Sequence, residues 1–557
     1  MRLFGKLLSF AAASALLGIT IRCAPEELTY GSSVGADGSA GSGGGSGDAA
    51  TFDAAGWVEV CGNGVDDDDN GLTDCEDPVC GEYACVPTAP PDWTGPLAVF
   101  EGGPSSLPSC PQGLDAVGDY FRDLRFERTS CSGCSCSSPN SESCMGVVDL
   151  STTGSCSAAI VSVPLTGSGC VTPGLLGPVN AANVSFHASG SCGSATQASA
   201  QKQASTWESA MRACESPELG SGAGCGSGEV CSPASALSDP CVVQSGEHAC
   251  PAGFPRRRVV YTGTKDTRGC SNCSCGFSGS CSATVTGYLD ASCATPTFAN
   301  TGGCANPIDV QGLTMTSVSV NGSCNASGGS PNGCVLPDQP TTMCCAGTTA
   351  ACPSGKGPEM VEVPKPGGGT YCVDSTEVTN SQYEAFLATS PALPTIPECA
   401  FKTNLVPGAP WPDTDVDEPI NVVDWCDAYA FCAWAGKRLC GASSGGAATY
   451  SSADSTDAQW YNACSAGGQL DYGYGTESVS GACATSIADV KEFPCCQAGY
   501  SGVYDMVGYM REWIDACSAT TGASDDCRVM GNNTCGTVQA SKRNARSTNV
   551  GFRCCSG

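Results

Sequence analysis

The sequence predicts a multidomain protein in which small, disulfide-rich all-β modules precede a larger α+β domain. Three observations predict it. The chain's 557 residues exceed what one hydrophobic core organises, so several domains are expected. Its 43 cysteines and 72 glycines, beside 25 basic residues and 2 histidines, describe loop-rich units held by crosslinks. From near Gly357 onward, aromatic residues and helix-capping patterns appear, which marks a domain with a conventional core.

Residues 1–22 read as an export signal, because Arg2 and Lys6 precede the apolar run Leu7 to Ile21, which is short for a membrane span. The expected location is therefore outside the cytoplasm, as a secreted or cell-surface lipoprotein, where thiols oxidise. Cys23 stands where a bacterial lipoprotein carries its acylated cysteine. The preceding Thr-Ile-Arg departs from the usual small-residue pattern, so ordinary cleavage nearby is the alternative. A lipid on Cys23 would be the one membrane contact. Residues 23–56, rich in Gly and Ser, form a flexible tether, since such residues bury too little surface to order themselves.

The formal charge of −30 argues against nucleic acid, because phosphate binding needs clustered Lys and Arg. The one basic run, Arg256, Arg257 and Arg258, reads as the solvated face of a strand.

Residues 57–90 contain an Asp-rich loop in which Asp66, Asp68, Asn70, Gly71, Asp74 and Asp77 fall at positions 1, 3, 5, 6, 9 and 12 of a calcium loop. Spacing by two places oxygens around one centre, and Gly71 permits the sharp reversal. Asp77 stands where an EF-hand has its bidentate Glu, and no long helices flank the loop. Calcium is the expected cofactor here, with a plain acidic, disulfide-closed turn as the alternative.

Residues 100–215 and 250–350 repeat one another. Cys131, Cys134 and Cys136 in "RTSCSGCSC" recur as Cys270, Cys273 and Cys275 in "TRGCSNCSC", and "ASGSC" ending at Cys192 is echoed by "VNGSC" ending at Cys324. A Cys-containing linker, 216–249, joins them. Thr-, Val- and Ser-rich alternation favours short strands, so each copy is expected to be a small all-β unit. The C-x-x-C-x-C spacing could also hold a soft metal, but metal sites need reduced cysteines and an exported protein seldom keeps them.

Residues 357–557 carry helix signals. Thr379 and Gln382 form a capping box ahead of Tyr383, Phe386 and Leu387. Asp424 opens a second helix that Gly436 closes, and Thr456 with Gln459 repeats the capping pattern before Trp460. In order, "STEVTNSQYEAFL", "PINVVDWCDAYAFCAWAGKRLC", "DAQWYNACSAGG", "GVYDMVGYMREW" and "NVGFRCC" resemble the sulfatase-modifying-factor family, which includes the formylglycine-generating enzyme. The resemblance covers the chain from near Gly357 to its end. It implies an irregular α+β fold related to C-type lectin-like domains, often with structural calcium.

The enzyme branch of that family oxidises a sulfatase cysteine to formylglycine with copper(I) held between two thiolates five residues apart, after an Arg-Gly-Gly-Ser motif. Copper(I) is soft and favours such a pair. By that resemblance Cys535 takes the first catalytic position. Five residues on stands Ala540, or Val538 in a register shifted by two, so the second thiolate is missing. Gly531 alone survives of Gly-Gly-Ser, with Asn532 and Asn533 beside it. Tyr509 stands where relatives carry an Asn that commonly helps ligate calcium. The domain contains no histidine, which excludes the branch that uses histidine-ligated iron and weighs against Ser-His-Asp and Cys-His catalysis.

Setting Cys23 aside leaves an even number of cysteines, and disulfide pairing of Cys535 is the simpler expectation. The function expected is thus an exported, surface-anchored protein whose sulfatase-modifying-factor-like domain binds an extracellular protein or glycan, or serves structurally. The alternative is a copper-dependent formylglycine-generating oxidase whose second cysteine is remote in sequence. A purely mechanical or protective surface protein is a third.

Overall fold

The Thr- and Val-rich stretches pair as antiparallel strands, and six of them close a barrel. These are β1 (Thr94–Gly102), β2 (Asp115–Arg125), β3 (Thr206–Glu215), β4 (Cys241–Ser245), β5 (Arg256–Asp266) and β6 (Val335–Cys345), in the spatial order β4-β6-β5-β2-β3-β1. Alternate side chains, Leu97, Met211, Val243, Val260 and Met343 among them, fill its interior. The structure is a computed structural model that describes residues 58–557, apart from 113, 158, 175–177, 217–223, 234–238, 307–308, 348–351, 410 and 412–413. The export signal and tether expected over 1–22 and 23–56, Cys23 included, lie outside the described residues.

Exchanging β1 with β4, β2 with β5 and β3 with β6 reverses the barrel order and leaves it unchanged, so the two similar segments meet with twofold character. The sulfur bonds follow the same rule. Cys131–Cys270, Cys134–Cys273 and Cys136–Cys275 each join residues 139 apart, which are matching positions of the two segments. Cys156–Cys304 and Cys170–Cys293 are a reciprocal pair. Segments 100–215 and 250–350 therefore share one body instead of standing as separate small units. The physical reason is edge closure: the strands of either half alone would leave two unpaired edges. The linker 216–249 also contributes structure, since it holds β4 and the strand Glu229–Pro233, which pairs with Tyr83–Pro87.

Between the barrel strands in sequence, a four-stranded sheet built on Asn140–Ser151 and Ala181–Ser191 packs against a three-stranded sheet built on Ser274–Tyr288 and Gly312–Ser327. Val148, Leu150 and Val184 pack there with Val285, Leu313 and Met315.

The C-terminal part has two four-stranded sheets. One runs β7-β8-β14-β9, from Met360–Pro364, Thr370–Asp374, Cys554–Ser556 and Arg438–Leu439; the other runs β12-β11-β10-β13, from Val538–Lys542, Asp526–Gly531, Arg511–Cys517 and Val550–Phe552. Helix α1 (Asn380–Ala388) carries the full Thr379/Gln382 capping box, and α2 (Trp425–Trp434) a second box of Asp424 and Asp427. Gly436, at φ 73°, takes the left-handed turn just past α2. Helix α3 (Gln459–Ser465) starts without a side-chain cap. The expected Thr456 and Gln459 box does not form, because the Gln459 side-chain oxygen accepts from the Gly441 amide instead. Tyr383, Phe386, Phe431 and Phe552 make a mutually packed aromatic core.

Barrel and C-terminal part are joined covalently by Cys334–Cys495. Asp123 and Ser501 exchange hydrogen bonds of 2.7 and 2.8 Å across the same joint. The three arginines of β5 are not a solvated face. Arg256 pairs with Asp239, Arg257 with Glu359 at 3.0 Å, and Arg258 with Glu101 and with Glu362, the latter at 3.0 Å. Glu359 and Glu362 belong to the C-terminal part, so this run clamps the two together, which its charge alone did not reveal.

Candidate functional site

The sulfur predicted to matter most is in a disulfide. Cys535, on the turn between β11 and β12, is bonded to Cys464 in α3 and is completely buried. Its neighbours in the core are Trp460, Ala463 and Met530. A disulfide sulfur offers no thiolate, so the copper pair that the resemblance implies does not fit the site in this oxidised form. The cations that would have lowered a thiol's pKa are engaged elsewhere: Lys542 with Asp526, Arg543 with Asp525, and Arg546 with Asp424 and Asp427. Cys464 was missed in the sequence, where "NACSAGG" is simply the end of a helix. All the described cysteines are bonded, in twenty-one disulfides, including the three C-x-x-C-x-C positions of each segment.

In the Asp-rich loop the structure gathers some expected ligands and turns one away. One carboxylate oxygen each from Glu59, Asp66 and Asp68 lies within 4.8 Å of the others. Asn70 donates from its side-chain amide to Asp68 at 3.0 Å and to Asp77 at 2.6 Å, so both stand beside the cluster. Gly71, at φ 85°, makes the reversal, and its amide donates to Asp66. Asp74 is fully buried and faces the other way, accepting from the amides of Gly62, Asn63 and Gly64. Glu59 lies upstream of the loop motif and was not foreseen. Its two oxygens accept from Asp67 and Asp74. Desolvation, together with the nearby charges of Asp77, Asp66 and Glu59, raises the Asp68 pKa, as a cluster of uncompensated carboxylates should.

A third feature sits beneath "GVYDMVGYMREW". Glu512, buried on β10, accepts from Arg553 through both oxygens and from the Trp460 indole at 2.8 Å. Beside it a cavity of about 20 Å³ is lined by Glu377, Asp505, Tyr509 and others. Glu377 is 1% exposed; its Oε2 has no hydrogen-bond partner and lies 3.6 Å from Arg553. Three carboxylates thus surround one guanidinium. Burial pushes Asp505 up to about 6 and Glu377 well above its usual range. An orphaned carboxylate oxygen next to a void for one small particle fits a hard cation by donor chemistry, even with Tyr509 where relatives have Asn.

The described residues therefore combine a disulfide-locked β barrel and sandwich with an irregular α+β domain built on three short helices and two small sheets. Residues 366–556 match the family described as the sulfatase-modifying factor enzyme 1-like domain, and that stretch of the chain is such a domain. Three solved structures are similar. PvdO from Pseudomonas aeruginosa is 17% identical over 36% of this chain and 91% of its own, with a TM-score of 0.24. CarF is 17% identical over 36% and 96%, with 0.25, and variable protein 1 of Treponema denticola 18% identical over 34% and 84%, with 0.23. No curated protein matches the chain. Among the described residues no helix is long and apolar enough to cross a membrane.

Proposed function

We propose that this is an exported, surface-anchored protein whose sulfatase-modifying-factor-like domain works as a binding or structural module and not as an oxidase. The observation that carries the reading is the burial of Cys535 in a bond to Cys464. The absence of histidine from the domain and the density of disulfides around it support the same reading. The partner would be an extracellular protein or glycan, and the tether with Cys23 the anchor. Calcium is the cofactor we assign. It would be held in the loop by Glu59, Asp66 and Asp68, with Asn70 and Asp77 alongside, and in the C-terminal domain by Glu377 and Asp505. In both places its charge would offset crowded carboxylates.

One observation favours the copper-dependent oxidase as a second reading. Cys464 is a cysteine remote in sequence that sits in contact with Cys535, so reducing their bond would create a pair of thiols. Incubation of the reduced, copper-treated protein with a Cys-x-Pro-x-Arg peptide, followed by mass spectrometry, separates the two. No aldehyde is expected, and an aldehyde that disappears in Cys535→Ser and in Cys464→Ser would overturn the module reading. Calorimetric titration with calcium should show saturable binding that weakens in Asp66→Asn and Asp68→Asn.

A further inference from the structure

We infer that the joint between the barrel and the C-terminal domain is a binding site for a small oxyanion: a phosphate, sulfate or carboxylate group held by Arg122 and Lys491. This goes beyond the reading of the domain as a module and does not depend on whether the domain has catalytic activity.

The site is a cavity of about 90 Å³ walled by β2 and β5 of the barrel on one side and by β7 and the 491–504 segment on the other. That is room for several waters or for one tetrahedral or planar oxyanion. Clefts between packed domains are where small ligands most often sit.

Four cations line it, and their partners divide them into two kinds. Arg257 and Arg258 are neutralised by Glu359, Glu247, Glu362 and Glu101. Arg122 and Lys491 have no carboxylate within ion-pair distance among the described residues. Arg122 makes no side-chain hydrogen bond there either, and its Nε is shielded from solvent without a partner. Arginine side chains are nearly always hydrogen-bonded, so one that lines a cavity without a partner has donors to offer an acceptor there. The Lys491 ammonium lies over the Tyr504 ring, 5.3 Å from its centre, and interacts with the Asp505 charge from beyond ion-pair distance, while the Lys491 backbone amide donates to Asp505 at 2.7 Å.

Neutral donors complete the lining. The Tyr504 hydroxyl accepts from Gln497 at 3.1 Å, which leaves its own proton to donate. Burial raises the pKa of Tyr504 and of Tyr261, so both keep their protons at neutral pH, and because the two hydroxyls hydrogen-bond to each other one proton is left for a ligand. Four cations against three carboxylates, Glu247, Glu359 and Glu362, leave the lining with an excess positive charge, carried by Arg122 and Lys491, in a chain of formal charge −30.

The test is isothermal titration of the full-length, oxidised protein with inorganic phosphate, sulfate and acetate in separate experiments. These three arms distinguish tetrahedral from planar oxyanions. Saturable binding of at least one is expected. It should weaken at least tenfold in Arg122→Met and in Lys491→Met, but not in Lys265→Met, which removes an exposed cation elsewhere on β5. Lys491 is itself exposed, so its variant should fold even if Arg122→Met does not. The proposal is overturned if none of the three anions binds saturably, if Lys491→Met binds as the unaltered protein does, or if Lys265→Met loses as much.

Discussion

Residues 94–345 and residues 366–556 bury similar kinds of backbone but hold it in different ways. In the first region the apolar clusters are small and mostly aliphatic, with one stacked trio of Phe121, Trp207 and Tyr261, and disulfides spanning 94 to 148 residues tie strand to strand. In the second, stacked aromatic rings and fully buried ion pairs occupy the interior, and several disulfides close short loops, such as 13 residues for Cys483–Cys496 and 10 for Cys517–Cys527. A barrel shared between two chain segments has few local contacts with which to offset its entropy, so long-range crosslinks substitute for core volume. The C-terminal domain has the core volume and uses sulfur as reinforcement.

Reduction should break this comparison open most widely. Closing a loop of about 100 residues is worth about 4 to 5 kcal/mol in the chain-entropy view, and the barrel and sandwich depend on several such loops. With excess dithiol, hydrogen exchange read by mass spectrometry should show strands β1 to β6 losing protection before α1, α2 and β10 do. Earlier loss in the C-terminal domain would show that its aromatic core is not self-supporting.

The next effect is confined to the C-terminal domain. The Lys437 ammonium donates to Asp374 at 2.6 Å, and both side chains are entirely buried. Lys437→Met leaves the carboxylate unpaired and should cost about 3 to 5 kcal/mol in denaturant unfolding. The barrel has no fully buried ion pair of this kind among its described residues, so its own transition should not move. A common shift of both transitions would mean that the two regions unfold as one unit.

The joint itself gives a smaller effect. Arg258 donates to Glu362 at 3.0 and 3.2 Å and also pairs with Glu101. Arg258→Ala should weaken the contact by about 1 to 3 kcal/mol, the worth of hydrogen bonds to charged groups. The readout is faster proteolysis near residues 346–359 with both flanking regions still folded. Unchanged cleavage would leave Cys334–Cys495 as the bond that matters there.

The same contrast decides what could be read in the sequence. Helix α1 was legible because Thr379 and Gln382 act on residues three apart, and α2 because Asp424 and Gly436 mark its ends locally. The capping pattern at Thr456 failed because Gln459 is drawn to Gly441, a contact no local pattern records. Partners such as Cys464 for Cys535, or Cys270 for Cys131, lie far along the chain, and connectivity among so many cysteines cannot be deduced from spacing. In the Asp-rich loop the side chains around one turn were legible. The three backbone amides that donate to Asp74 leave no trace in the spacing, and Glu59 lay outside the motif.

The smallest expected effect compares one carboxylate from each region under acid. Asp266 on β5 is held down to about 2, chiefly by the hydrogen bond from Arg268, and Asp525 ahead of β11 to about 2, chiefly by the Thr521 hydroxyl and then by the amides of Gly522 and Thr521. Each folded value lies below the ordinary 3.8, so each group adds stability that is present in full above about pH 4 and is lost as the pH falls toward 2. Asp266 is the more exposed of the two, and solvent should reduce its share. Unfolding followed by exchange at pH 5, 4, 3 and 2.5 should therefore show Asp525→Asn flattening the acid limb of the C-terminal domain alone. Asp266→Asn should flatten that of the barrel alone, and by less. The ordering is a consequence of how the regions are built: Asp525 is packed into a tight turn of a domain with its own core, whereas Asp266 sits at the rim of a barrel whose main restraints are disulfides that do not titrate. If Asp266→Asn proved the larger effect, the barrel would rely on charge more than its crosslinks imply, and the contrast drawn between the two regions would have to be redrawn around the Arg268 pair.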